Sequence, residues 1–268
     1  MKLQTKQYSE SYRRVIIDNP PMNRFDQEMS DEFQAILTKL EADDAVKVVV
    51  FESANPNFFI APAEAEIDLN GGPVGMTPLS NLLKRMDHSQ FLTVGMLRGH
   101  ACGVGSEFLL GLDVRFASRE KAILSQIDLG TEFSNIKGGF ERLCSLVGRA
   151  RALEIILGSE DLDAEMAERL GLINRSISDE KLDEFVERFA LNISNFDRNY
   201  IGLIKQITSD QLNLTDVAGS NQTQNNFFQT SKWSEIQEQI ATPIEREIHV
   251  RSDWELVLGE QLRPDYIL

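Results

Sequence analysis

The chain has 268 residues, with 42 Asp and Glu against 27 Lys and Arg and a formal charge of −15. So acidic a surface repels phosphate backbones and anionic lipid, which argues against nucleic acid or membrane as the main partner. With 42% apolar and 26% charged residues it reads as a soluble globular chain long enough for a substantial core. The polar stretch from Met1 to Glu10 lacks the apolar core of a signal peptide, and no apolar run is long enough to span a bilayer, so a cytoplasmic location is expected. Cys102 and Cys144 are too few for a disulfide framework and are both expected to be buried, inert thiols. His88, His100 and His249 lie too far apart to suggest a metal site.

In chain order, Tyr12 to Asp18 predicts a first strand, closed by Asn19-Pro20-Pro21. Met29, Phe33, Ile36, Leu37 and Leu40 then form one apolar stripe of a helix with Asp26 as N-cap. Val46 to Phe51, nearly all β-branched and apolar, predicts a strand covered on both faces. A Gly/Pro-rich loop around Gly71-Gly72-Pro73 is a candidate lid, and Pro78 to Asp87 predicts a helix. Phe91 to Leu97 is strand-like, Ser106 to Leu112 helical, and Val114 to Ala117 and Ala122 to Leu124 are two short strands. Helices follow over Lys137 to Val147, Arg149 to Leu157 with Gly158 as its stop, and Ala164 to Leu170 with Gly171 as its stop. From Ser178 the pattern turns helical, beginning with Leu182, Phe185, Val186, Phe189, Ala190 and Ile193. The expected organisation is an α/β core over residues 1–178 and a helical C-terminal region over 179–268 for oligomerisation or as a lid.

The segment Gly99-His100-Ala101-Cys102-Gly103-Val104-Gly105 joins a strand to a helix, a geometry that presents backbone N–H groups to an anion. It is not a dinucleotide fingerprint, because Phe108 stands where the third glycine belongs. Nor is Ser106 a nucleophile elbow, since Val104 and Phe108 replace the flanking glycines. What remains is a glycine turn followed by an acid, Glu107, on the first helical turn.

Asn19-Pro20-Pro21-Met22-Asn23, Phe59-Ile60-Ala61-Pro62-Ala63-Glu64, the glycine turn through Glu107 with Asp113, Gly138-Gly139-Phe140-Glu141-Arg142-Leu143, and Val147 to Leu153, in that order and spacing, resemble the enoyl-CoA hydratase/isomerase (crotonase) family. The likeness runs over about residues 12 to 178. It implies a crotonase-like spiral of strand-strand-helix repeats, a helical C-terminal part that builds trimers or dimers of trimers, and an acyl-CoA thioester as substrate, with no separate cofactor and no metal. The shared chemistry is stabilisation of a thioester enolate by two backbone N–H groups, which by position are those of Ala63 and Val104. Ala61 and Gly103 are then expected at the bound CoA thioester.

In hydratases of the family two carboxylates hold the water that adds to a 2-enoyl thioester; Glu107 matches the first. Aligning Ala122-Ile123-Leu124-Ser125-Gln126-Ile127-Asp128 with the family's Ala-x-Phe-Gly-x-Pro-Glu puts Asp128 on the second. Aspartate retracts the carboxylate by about 1 Å, a misplacement able to cost roughly 100-fold in rate. Pro62 and Val104 stand where the family has glycine; Pro62 offers no N–H, and the Val104 side chain is expected to narrow the acyl pocket.

The plainer readings are that Glu107 is an acid favoured by a helix dipole, Asp128 a turn residue, and Lys205 a solvated helix residue rather than a ligand of a CoA phosphate. The functional expectation is hydration of a 2-enoyl-CoA. The alternatives are an isomerase, hydrolase or decarboxylase using Glu107 alone, a non-catalytic acyl-CoA binding homologue, or a structural subunit without a CoA site.

Overall fold

The computed structural model describes residues 1–61, 78–125 and 139–212. In chain order the elements are β1 (Leu3–Gln7), β2 (Tyr12–Ile17), α1 (Gln27–Ala42), β3 (Val48–Ser53), β4 (Phe58–Ile60), α2 (Pro78–Asp87), β5 (Leu92–Leu97), β6 (His100–Cys102) and α3 (Val104–Leu110). They continue as β7 (Val114–Ser118), β8 (Ile123–Ser125), α4 (Gly139–Val147), α5 (Arg149–Gly158), β9 (Leu162–Asp163), α6 (Ala164–Leu170), β10 (Arg175–Ile177), α7 (Asp179–Ile193) and α8 (Arg198–Leu212).

The strands form two sheets. The larger runs β1-β2-β3-β5-β7-β10, parallel throughout except for β1, which pairs antiparallel with β2. The smaller runs β4-β6-β8-β9, with β4, β6 and β8 parallel and β9 antiparallel. Three successive strands of the larger sheet are each followed by a short one in the smaller: β3 by β4, β5 by β6, β7 by β8. This is the strand-strand-helix repeat expected from the sequence.

Alternation along β3 shows why the larger sheet is buried twice. Val49 and Phe51 enter the main core with Met29, Phe33, Leu37 and Leu40 of α1, while Val48 and Val50 enter a second core on the other face. That second face is covered by α7, which lays Leu182, Val186 and Ala190, spaced four apart, across the sheet. Phe185 and Phe189 meet Phe116 edge-on at centroid distances of 4.9 and 5.0 Å.

Several elements differ from the expected ones for local reasons. β1 escapes a hydropathy reading because only Leu3 is buried in it, as befits an edge strand. Helix α3 starts at Val104, two residues before the expected Ser106, because the turn at Gly103 already leads into it. Asp26 caps α1 as expected, accepting from the Met29 N–H at 2.8 Å. Gly171 ends α6 as expected, but α5 is stopped by Ser159 at φ 49° rather than by Gly158. Cys102 is buried, whereas Cys144 is exposed on α4, because the apolar stripe of that helix runs through Leu143 instead. Among the described residues no helix is long and apolar enough to cross a membrane.

Charged side chains fasten α7 to the ends of the strands. Arg98 binds Asp179 at 2.7 Å and Asp183 at 2.7 Å, and Lys121 reaches the other Asp179 oxygen at 2.5 Å. Partial burial pushes the Asp179 pKa up, but the hydrogen bonds from Lys121 and Arg98 outweigh this and hold it down at about 2. Because the folded value lies below the unfolded one, this stabilisation is complete above about pH 4 and is lost as pH falls through about 2. Asp179→Asn is therefore expected to lose about 1–2 kcal/mol at pH 7, with the gap from wild type closing between about pH 4 and pH 2 in urea unfolding at stepped pH.

Candidate active site

The three parallel strands of the smaller sheet end where the sequence places its candidate groups. Ala61 follows Ile60 at the end of β4, Gly103 follows Cys102 at the end of β6, and Asp128 lies three residues past Ser125 at the end of β8. The carboxyl ends of parallel strands are where α/β sheets bind ligands. Ala63 and Asp128 themselves, the loop around Gly71-Gly72-Pro73 and Pro62 lie outside the described residues.

The turn is built around Gly103, at φ 49° and ψ −114°, a conformation that a side chain would oppose. Its N–H donates to the Ser125 carbonyl at 3.1 Å, tying β6 to β8, and its carbonyl accepts from the Glu107 N–H at 2.9 Å, opening α3. Gly105 carries the other constraint: a Cβ there would lie 2.0 Å from the Ile60 carbonyl oxygen. That oxygen belongs to the backbone of β4 and cannot move aside, so only glycine lets the first turn of α3 rest on the end of that strand. The Val104 N–H belongs to this first turn, whose amides have no acceptor within the helix.

Glu107 is 1% exposed. A carboxyl taken out of water at a helix N-terminus gains from the dipole and loses solvation, the setting in which acids are tuned for proton transfer. The Val104 side chain packs within the main hydrophobic core, so the turn accepts valine without losing its backbone donor. Ala61 is fully buried with Met22 and Phe58, and its N–H donates to the Met22 carbonyl at 3.3 Å. His100 lies in β6 with its ring 5.9 Å from that of Phe58. Among the described residues no group of His, Cys, Asp and Glu is arranged to hold a metal.

Lys205 does not serve the role expected of it. It is 6% exposed, and its ammonium donates to the Met86 carbonyl, Ser89 Oγ and the Phe91 carbonyl at 2.8, 2.9 and 2.9 Å, with Asp113 Oδ2 at 2.8 Å. It is therefore neither a solvated residue nor available to a CoA phosphate. Asp113 in turn accepts from the Thr93 N–H and hydroxyl at 2.7 and 2.8 Å.

A positioning residue that the sequence reading left without a role is Asn23. Fully buried at φ 57°, it donates its amide to Ser53 Oγ and to the Phe58 and Phe59 carbonyls at 2.7, 3.2 and 3.1 Å, and accepts from the Asn19 N–H at 2.7 Å. It fixes β4 against the loop after β2. Its signal was the Asn-Pro-Pro-Met-Asn run, in which a buried αL asparagine has a local hydrogen-bonding reason.

The enoyl-CoA hydratase/isomerase family model matches residues 8–251. The chain belongs to that family. A solved structure from Streptomyces avermitilis, provisionally assigned as an enoyl-CoA hydratase, superposes at TM-score 0.88 with 33% identity, covering 97% of this chain and 96% of the other. The 1,2-epoxyphenylacetyl-CoA isomerase of Escherichia coli is 28% identical over 206 residues, spanning 73% of this chain and 77% of the relative. The short-chain-enoyl-CoA hydratase of Clostridium acetobutylicum is 25% identical over 185 residues, 67% of this chain and 70% of that one. The chain matches only 27% of the length of the fatty acid oxidation complex subunit alpha of Aliivibrio fischeri.

Lys205→Met is expected to destabilise the fold by about 3 kcal/mol, because it leaves the half-buried Asp113 carboxylate without its cation. Any affinity of the folded protein for CoA should be unchanged. Denaturant unfolding and calorimetry measure the two quantities separately, and a weakened CoA complex at full stability would restore Lys205 to the ligand.

Proposed function

We propose that this member of the family binds an acyl-CoA thioester, stabilises its enolate and hydrates a 2-enoyl-CoA. The observation that carries the reading is the buried Glu107 carboxyl on the first turn of α3, directly after the Gly103-Val104 turn at the end of a parallel strand. The Val104 N–H, with that of Ala63, would receive the thioester oxygen and bind it better as negative charge develops there. Water then adds across the C2=C3 bond: its oxygen bonds to C3, one carboxylate of the Glu107 and Asp128 pair takes its proton, and the other delivers a proton to C2. The former double-bond electrons end in the new C2–H bond, and the hole returns the thioester to its neutral form.

The relatives named above include both a hydratase and an isomerase, and Asp128 is a shorter acid than the family pattern carries. That substitution favours, as the second reading, double-bond isomerisation with Glu107 as the only base. Glu107→Gln is expected to reduce kcat by about 100- to 10,000-fold while acyl-CoA binding persists, followed as loss of the enoyl absorbance. An equal loss in Asp128→Asn supports hydration; a mild effect there supports the single-base reading. CoA binding with no turnover of any enoyl-CoA would instead make the protein a binding homologue.

The assembly proposed is a homotrimer or a dimer of trimers. It is supported by α8 and the turn before it, which leave Phe196, Tyr200, Leu203, Ile204 and Ile207 between 41% and 51% exposed, an apolar patch that a lone subunit would present to water. Leu203→Lys combined with Ile207→Lys should lower the mass seen by light scattering to that of one subunit, and an unchanged mass would reject this face as the contact.

A further inference from the structure

Ser125 closes β8 and is 1% exposed. Its backbone carbonyl is already used, accepting the Gly103 N–H at 3.1 Å. Its hydroxyl is a different matter: Oγ is fully shielded from solvent and has no hydrogen-bond partner among the described residues. A buried hydroxyl left unmatched is a standing cost to the fold, and a structural serine in a strand would normally spend its hydroxyl on a neighbouring carbonyl.

The direction of the side chain follows from the strand register. Leu124 and Ala101 enter the main core, so Ser125 and its lateral neighbour Cys102 face the opposite side of the smaller sheet. Phe58 and Ala61 are likewise outside the main core, in a separate cluster with Met22. The hydroxyl therefore stands on the face that carries Ala61, one hydrogen bond away from the turn whose Val104 N–H is assigned to the thioester oxygen.

We infer that the Ser125 hydroxyl is a specificity-determining contact that reads a hydrogen-bonding oxygen, a hydroxyl or keto group, on the acyl part of the thioester. This rests on the acyl-CoA reading of the same site. A site that buries a polar group for this purpose discriminates strongly against a ligand lacking the matching oxygen, because the group is then left unpaired in the complex.

The test compares 4-hydroxybutyryl-CoA, whose oxygen is not on the carbon that the proposed hydration attacks, with butyryl-CoA, which differ in one oxygen, by calorimetry on the wild type and on Ser125→Ala, with thermal unfolding of both proteins. The wild type is expected to prefer the hydroxylated ligand by about 10- to 100-fold. Ser125→Ala should level the two affinities and melt at the same temperature or higher, since it removes an unmatched buried hydroxyl. Equal affinities in the wild type, a preference that survives Ser125→Ala, or a variant that melts lower while keeping the preference would overturn the inference and leave acyl-CoA binding intact. Failure of both ligands and of CoA itself to bind would overturn the acyl-CoA reading and the inference with it.

Discussion

The position of α3 depends on Phe108. This helix has seven residues, too few to be stable by itself, and every one of them is buried, so packing alone decides where it sits. Phe108 supplies that packing: its ring lies 5.0 Å from Phe33 of α1, 5.4 Å from Phe51 of β3 and 6.3 Å from Phe59 of β4. One side chain thus joins the main helix, the larger sheet and the smaller sheet. Glu107 directly precedes it and leaves the helix about 100° further round the axis. The aromatic contacts of Phe108 thus fix the helix from which the candidate acid projects.

Both ends of α3 are held by other means. At its start, the Ile60 carbonyl against Gly105 leaves no room for a side chain, which sets the depth of the first turn. Beyond its end, the Asp113 carboxylate accepts from Thr93 at the head of β5 and pairs with Lys205 of α8. Elsewhere too this acidic chain uses its cations to fasten elements together. Arg14 is 4% exposed and binds Glu52, Asp183 and the Tyr12 hydroxyl, and Arg142 joins α4 to Asp87 of α2 at 3.1 and 2.5 Å. Cations buried in such pairs are fixed by the cost of leaving their partners uncompensated, and they are withdrawn from any ligand. The phosphates of a CoA ligand would have to be met by other basic groups, gathered locally within a surface that is negative as a whole.

Much of this was legible in the sequence because the relevant signals are local. The stripe of α1, its Asp26 cap and the doubly buried run of β3 each follow from a few neighbouring residues. The family resemblance added what periodicity could not, the pairing of long and short strands, since three-residue strands such as β4 and β6 carry no period. What stayed hidden was long-range. Lys205 reads as a surface residue by its charge alone, and its partners lie more than 90 residues away, around Met86 to Phe91 and at Asp113. Ser159 gives no sign in the sequence that it, and not Gly158, takes the left-handed position. Phe108 was read only as a missing glycine, although the same substitution that excludes a dinucleotide fold builds the hub of this one.

The departures from the family pattern separate into two kinds once backbone and side chain are considered apart. The proposed oxyanion hole would use main-chain N–H groups, so a change that keeps the N–H and the backbone path leaves the donor in place. Val104 is such a change: its φ is not among the positive values, its side chain goes into the core, and the adjoining Gly103 keeps the strained conformation that no other residue would accept so readily. A change that removes a donor or moves a charge would act on the proposed chemistry itself, and Pro62, with no N–H, and Asp128, with a shorter arm, are of that kind. The scaffold around Gly103, Gly105, Glu107 and Phe108 therefore keeps the backbone donor that the proposed chemistry needs, and the departures that would bear on that chemistry fall at Pro62 and Asp128, just past β4 and β8 in the sequence.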